Sequence, residues 1–182
     1  KSKVKNVIFS KSHLKHTSTL LVSLYSSKIV KDFTLLYKKH KPNMVIVLGD
    51  RYEILSSILP LIFFKIPVIH FNGGEKTSGS FDDQIRHIIT KISNYHFVAN
   101  KEYKKRVMQL GENPKNVFVI GGMGVDAIKN QNLMTKKNIE KELKLKFFKK
   151  NILITMHPIT LEKNKTKYQI KNLLSVLDSL KD

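Results

Sequence analysis

The stretch 68–99, VIHFNGGEKTSGSFDDQIRHIITKISNYHFVA, changes its hydrophobic period twice, and those changes decide the fold. Its first four residues, VIHF, are a short apolar run of strand length, and residues 96–99 are another. Between them Ile85, Ile88, Ile89 and Ile92 recur at helical spacing, which predicts a helix over 82–93. Residues 70–87, the loop and the first turns of that helix, crowd carboxylates, glycines, histidines and an arginine together.

Outward from this unit the alternation continues. Residues 4–9, 44–48, 117–120 and 152–155 are further strand-length apolar runs, each followed by turn residues. Residues 18–39 carry Leu21, Leu24, Val30 and Phe33 on a helical pattern, and 166–180 read as one more helix. Strands alternating with helices predict an α/β fold with a parallel sheet covered on both faces. Weak period-2 patterning in the strands fits burial on both sides.

Composition sets the limits around that fold. A chain of 182 residues that is 41% hydrophobic holds enough apolar material for one full core and part of a second. The best candidate for a membrane span, 54–64, is interrupted by Ser56, Ser57 and Pro60 and stops at Lys65. The chain starts with Lys1 and shows no cleavable apolar leader, so it is expected to be a fragment of a longer protein. With no cysteine, disulfides, zinc knuckles and a thiol nucleophile are excluded, and a reducing cytoplasm fits.

The net charge of +19 raises a nucleic-acid reading. Only Arg51, Arg86 and Arg106 among the 33 basic residues are arginine, and the lysines are scattered along the chain. Base readout favours the bidentate guanidinium. Solvated lysine faces therefore account better for the charge than a nucleic-acid groove.

In an open α/β sheet, ligands sit outside the carboxyl ends of the strands. Gly49-Asp50-Arg51, Asn72-Gly73-Gly74-Glu75, Gly121-Gly122-Met123-Gly124 and Met156-His157-Pro158 all follow predicted strands. Each piece has a plain structural reading beside the functional one. Asp50 and Asp82 read as helix caps, and Glu53 and Asp83 as solvated first-turn carboxylates. Gly73-Gly74 is a turn, or a place where backbone approaches a ligand closely. Arg86 pairs with Asp82 one turn away, or holds a phosphate. His70 and His96 read as packing or hydrogen-bonding residues. Zinc-protease spacing and a nucleophile elbow are both missing, and no metal or redox cofactor is called for.

Four stretches together carry a resemblance to a known family. GDRYE at 49–53, HFNGGEKTSGSFDDQIRHIITKISNYHFVAN at 70–100, RVMQLGENPKNVFVIGGMGVDAI at 106–128 and ITMHPITLE at 154–162 resemble the hydrolysing UDP-N-acetylglucosamine 2-epimerases. The resemblance implies a glycosyltransferase-B-like fold of two Rossmann-type halves with the sugar nucleotide between them. The N-terminal half, lacking its start, would take 1–128, and the beginning of a nucleotide-binding half would take 129–182.

What that family does accounts for the crowded loop. Its members take the proton from the carbon bearing the acetamido group, expel the nucleotide by anti elimination to a glycal, and add water with the opposite configuration. Such chemistry needs carboxylates on both sides of the ring in unlike environments, and cations or helix N-termini for the diphosphate. By resemblance the catalytic residues are Asp50, Glu75 and Asp82, and the substrate-binding residues are His70, Asn72, Gly73, Gly74, Arg86, His87, Gly122 and His157. At the position of Asn72 many relatives carry a catalytic glutamate, so Glu75 is expected to take that role. The implied partner is a sugar nucleotide, with neither nucleic acid nor membrane, and the full-length form is expected to be a homo-oligomer. Open alternatives are a non-hydrolysing 2-epimerase, a glycosyltransferase of the same fold, and a basic nucleic-acid-binding protein.

Overall fold

The computed structural model describes residues 18–157 and 165–180. The strand expected at 4–9 lies outside the described residues. Helix α1 (Thr19–His40) begins at Ser18, whose hydroxyl accepts the Leu21 N–H at 3.3 Å, and stops at Lys41 in the left-handed conformation. After it come β1 (Val45–Leu48), α2 (Tyr52–Ile58), α3 (Leu61–Phe64), β2 (Val68–Phe71), α4 (Asp82–Ile92), β3 (Tyr95–Val98) and α5 (Lys101–Gln109). A 3₁₀ turn (Pro114–Asn116) leads into β4 (Val117–Val119), and α6 (Met123–Lys129), α7 (Lys136–Leu143) and α8 (Thr166–Ser179) follow. Among the described residues no helix is long and apolar enough to cross a membrane.

The four strands form one parallel sheet in the order β1-β2-β3-β4, with His70 opposite His96 and His96 opposite Val117. This is the α/β parallel architecture that the alternating periods predict. Tyr37 of α1, Ile58 of α2, Leu61 of α3 and Ile89 of α4 bury Val68, with Val45 and Val47 packed against them. Val107 of α5 closes over Val98 and Val117. All of these strand residues share one face by register.

The other face departs from expectation. There Leu48, Phe71, Phe97 and Phe118 stand in one row across the sheet, their three rings stacked at 4.9 and 5.1 Å between centroids. Leu48 is 53% exposed and Phe118 42%. The reason is topological. Right-handed crossovers that add strands in a single direction put every connecting helix on the same side, and the second layer needs a reversal of strand order. The described sheet contains no such reversal.

The strand expected at 152–155 is not formed: these residues are irregular, and Leu153 is 96% exposed. A strand exists through its ladder partners, and none pairs with this run among the described residues. Helices α6, α7 and α8 likewise contain no buried residue.

Candidate active site

The polar residues meet where the carboxyl ends of β1 and β2 face the start of α4. Asp50 does not cap α2, whose cap position is Arg51, with no side-chain capping bond. Its Oδ2 instead accepts from Nη2 of Arg86. The Arg86 side chain is only 4% exposed. Its Nη1 donates to the Glu75 carbonyl at 2.9 Å and to Asp83 Oδ1 at 3.3 Å, while Nη2 also reaches Thr77 Oγ1 at 2.8 Å. A buried guanidinium survives only when its planar fork is filled in this way. The expected partner of Arg86, Asp82, is replaced by Asp83 and Asp50.

Loop geometry makes that choice. Asp82 is the first residue of α4, not its cap, and it folds back on Ser80: Ser80 Oγ donates to Asp82 Oδ2 at 2.8 Å and accepts the Asp82 N–H at 3.2 Å. Asp83 is not solvated as expected, because it also accepts the Thr77 N–H at 2.7 Å and lies 3.7 Å from His87 Nε2. His87 sits half-buried in the same cluster with its Nδ1 buried and unpartnered among the described residues. Glu75 differs from all of these. Its carbonyl is held, but its carboxylate takes no hydrogen bond or ion pair among the described residues.

Gly73 and Gly74 are buried, and what they approach closely is the protein itself. A Cβ on Gly73 would lie 3.1 Å from His70 Nδ1 and 3.2 Å from Thr90 Oγ1. One on Gly74, whose φ is +78°, would run into the Tyr103 carbonyl and come within 2.9 Å of Val107 Cγ2. The two glycines thus let the loop lie against α4 and α5. Asn72, just before them, also holds a positive φ of 63° and donates its N–H to Phe97 O at 2.9 Å.

His70 is fully buried, with Nε2 3.0 Å from the Gly49 carbonyl and Nδ1 3.3 Å from Thr90 Oγ1. A carbonyl only accepts, so Nε2 carries the proton. Both nitrogens face protein groups, so His70 supports the site from beneath. Burial pushes its pKa down to about 4, against a smaller upward pull from the Gly49 carbonyl. The folded state therefore binds fewer protons than the unfolded chain between that value and the ordinary histidine value of about 6.5. Stability from this group is complete above that window and is lost as pH falls through it, by up to about 1.4 kcal/mol per pH unit. Urea midpoints at both ends of the window should show a smaller pH dependence in His70→Asn than in the unaltered protein; equal slopes would remove His70 as the cause.

His96 is buried beside it, 3.2 Å from Glu112, which also binds Lys91 Nζ at 2.6 Å. Its place is in the packing between β3 and the turn after α5, as one of its two sequence readings has it. Gly122 precedes α6, and His157 is exposed in the irregular stretch. Among the described residues no hydrogen bond or ion pair joins either one to the Asp50–Arg86 cluster. Thr77, Thr90 and Arg106 belong to the site's framework although no motif marks them, whereas the i, i+3 spacing of Asp83 and Arg86 was a usable signal.

The arrangement sets an ion-paired carboxylate, Asp50, beside two that make no salt bridge among the described residues, Glu75 and Asp82, the second of them in the field of Arg51. Groups of one type in unlike surroundings are what paired acid and base catalysis requires.

Known proteins share both the sequence and the fold. The UDP-N-acetylglucosamine 2-epimerase family matches residues 8–182. The GDP/UDP-N,N'-diacetylbacillosamine 2-epimerase (hydrolyzing) of Campylobacter jejuni is 48% identical over 150 residues, 82% of this chain and 39% of that protein. The UDP-N,N'-diacetylbacillosamine 2-epimerase (hydrolyzing) of Legionella pneumophila is 34% identical over 142 residues, 78% of this chain and 37% of that protein. In structure, the Methanocaldococcus jannaschii UDP-GlcNAc 2-epimerase in complex with UDP-GlcNAc and UDP superposes with a TM-score of 0.58 at 26% identity, over 69% of this chain and 33% of that one. The chain spans about two fifths of the length of the curated relatives it matches. On the match over residues 8–182, supported by the shared parallel α/β fold, this chain belongs to the UDP-N-acetylglucosamine 2-epimerase family.

Proposed function

We propose that the full-length protein is a hydrolysing 2-epimerase that converts a nucleotide-linked 2-acetamido sugar to the free, manno-configured sugar and the nucleotide. The observation that carries this reading is the cluster at the strand ends: Glu75 and Asp82 without a salt bridge among the described residues, beside Asp50 paired to Arg86. Two hydrolysing relatives named for N,N'-diacetylbacillosamine favour the diacetamido sugar over plain N-acetylglucosamine. The C. jejuni relative's name leaves both UDP and GDP as nucleotides to test.

In the first step a carboxylate takes the proton from C2, the C1–O bond to the nucleotide breaks, and the C1–C2 double bond forms. In the second, water adds its oxygen to C1 and C2 is protonated from the opposite face. Glu75 and Asp82 are assigned to the two proton transfers. Asp50 is the third carboxylate, its Oδ2 on Arg86. His157, Gly122 and His87 are assigned to substrate binding, His157 at the nucleotide phosphates. Residues 129–182 are taken as the start of the nucleotide-binding domain. A cytoplasmic location accords with the absence of cysteine.

The test is turnover of the full-length protein in heavy water with the UDP and GDP forms of both sugars. The expected product is free sugar with deuterium at C2, together with released nucleotide. Labelled sugar still bound to nucleotide would move the protein to the non-hydrolysing branch, and unlabelled gluco-configured sugar would remove the epimerase reading.

A further inference from the structure

We propose that Arg106, on α5, is a positioning residue for Glu75 that acts through the Gly74 carbonyl. The inference rests on the proton-transfer role assigned above to Glu75. Two consecutive peptide carbonyls are gripped by guanidinium groups from different helices. Arg106 Nη1 donates to Gly74 O, and Arg86 Nη1 donates to Glu75 O at 2.9 Å. The loop touches α5 a second time at Gly74, where the absence of a Cβ lets its backbone rest on the Tyr103 carbonyl and Val107.

Helix α5 is itself immobilised. Val107 is fully buried against Val98 and Val117, and Tyr103 packs on the same cluster. The Arg106 guanidinium lies 5.8 Å from the Tyr103 ring centre, and its Nη2 donates to Glu102 at 3.0 Å. The result is a peptide unit locked at both ends that carries a carboxylate with no partner among the described residues. Such a group can move a proton while its backbone stays in place, which is the geometric condition for efficient transfer. Lysine at 106 presents one ammonium in place of a planar fork and cannot hold Gly74 and Glu102 together in the same way.

The experiment uses the full-length protein with Arg106→Gln, Arg106→Lys and Glu102→Gln. Arg106→Gln should lower kcat by roughly tenfold to 100-fold, the scale of a misplaced catalytic group, with KM altered by less than about twofold. Arg106→Lys should recover part of kcat. Glu102→Gln should leave kcat unaltered, because a glutamine oxygen still accepts from Nη2 at this exposed end of the network. The limb of the pH–rate profile that disappears in Glu75→Gln should be displaced in Arg106→Gln. Hydrogen exchange read by mass spectrometry, which needs no turnover, should quicken at residues 73–78 and stay unaltered in β3 and β4. Unaltered exchange in that loop, or an unaltered kcat in Arg106→Gln where Glu75→Gln is impaired, would overturn the proposal. A raised KM with unaltered kcat would also overturn it, making Arg106 a substrate contact. Should the unaltered protein release no epimerised sugar, the function reading fails by itself and the exchange result still decides the grip.

Discussion

Glu75→Gln and Asp82→Asn in the full-length protein should each lower turnover by roughly 100-fold to 10,000-fold, the range for losing a positioned acid or base. Nucleotide affinity should stay close to that of the unaltered protein. The amides keep the shape of the side chains they replace. Asp82→Asn can still accept from Ser80, and Glu75 gives up no contact among the described residues. Loss of proton transfer is then the main consequence. Asp83→Asn should behave differently, since Asp83 holds the Thr77 N–H and Arg86, so its removal loosens the loop and shows in stability first. If Asp83→Asn abolished turnover at unaltered stability while Asp82→Asn stayed active, the proton would belong to Asp83.

Arg86→Met should destabilise the fold by about 3–5 kcal/mol, the cost of breaking a buried ion pair from one side. The methionine fills similar space but leaves Asp50, Asp83, Thr77 and the Glu75 carbonyl without their shared donor. Arg86→Lys should recover little, because a single ammonium cannot reach acceptors arranged around a plane. Urea unfolding midpoints read the effect. A midpoint for Arg86→Met equal to that of the unaltered protein would show that the cluster holds together without its cation.

The strands and α4 were legible because their signals are local. The run VIHF and the isoleucine spacing at 85, 88, 89 and 92 each specify an element from its own residues. Helical spacing offered Arg86 both Asp82 at four residues and Asp83 at three, and the choice between them was not legible. Asp82 and Asp83 differ by one position, and the choice falls to hydrogen bonds from Ser80 and Thr77 that fold the loop. The packing of Gly74 was hidden for a related reason, since it depends on α5, a helix later in the chain. The run at 152–155 misled because its apolar residues describe a strand's surface and say nothing of its neighbours.

Asn72 places a condition on how this site can change through evolution. At φ 63° its backbone occupies a region that asparagine enters readily and a longer side chain such as glutamate enters at a cost. Its N–H is tied to the neighbouring strand, and the glycines after it are packed against two helices, so the turn has little room to relax. A glutamate at residue 72 would therefore carry a backbone cost that asparagine avoids, set against whatever its carboxylate added to the site.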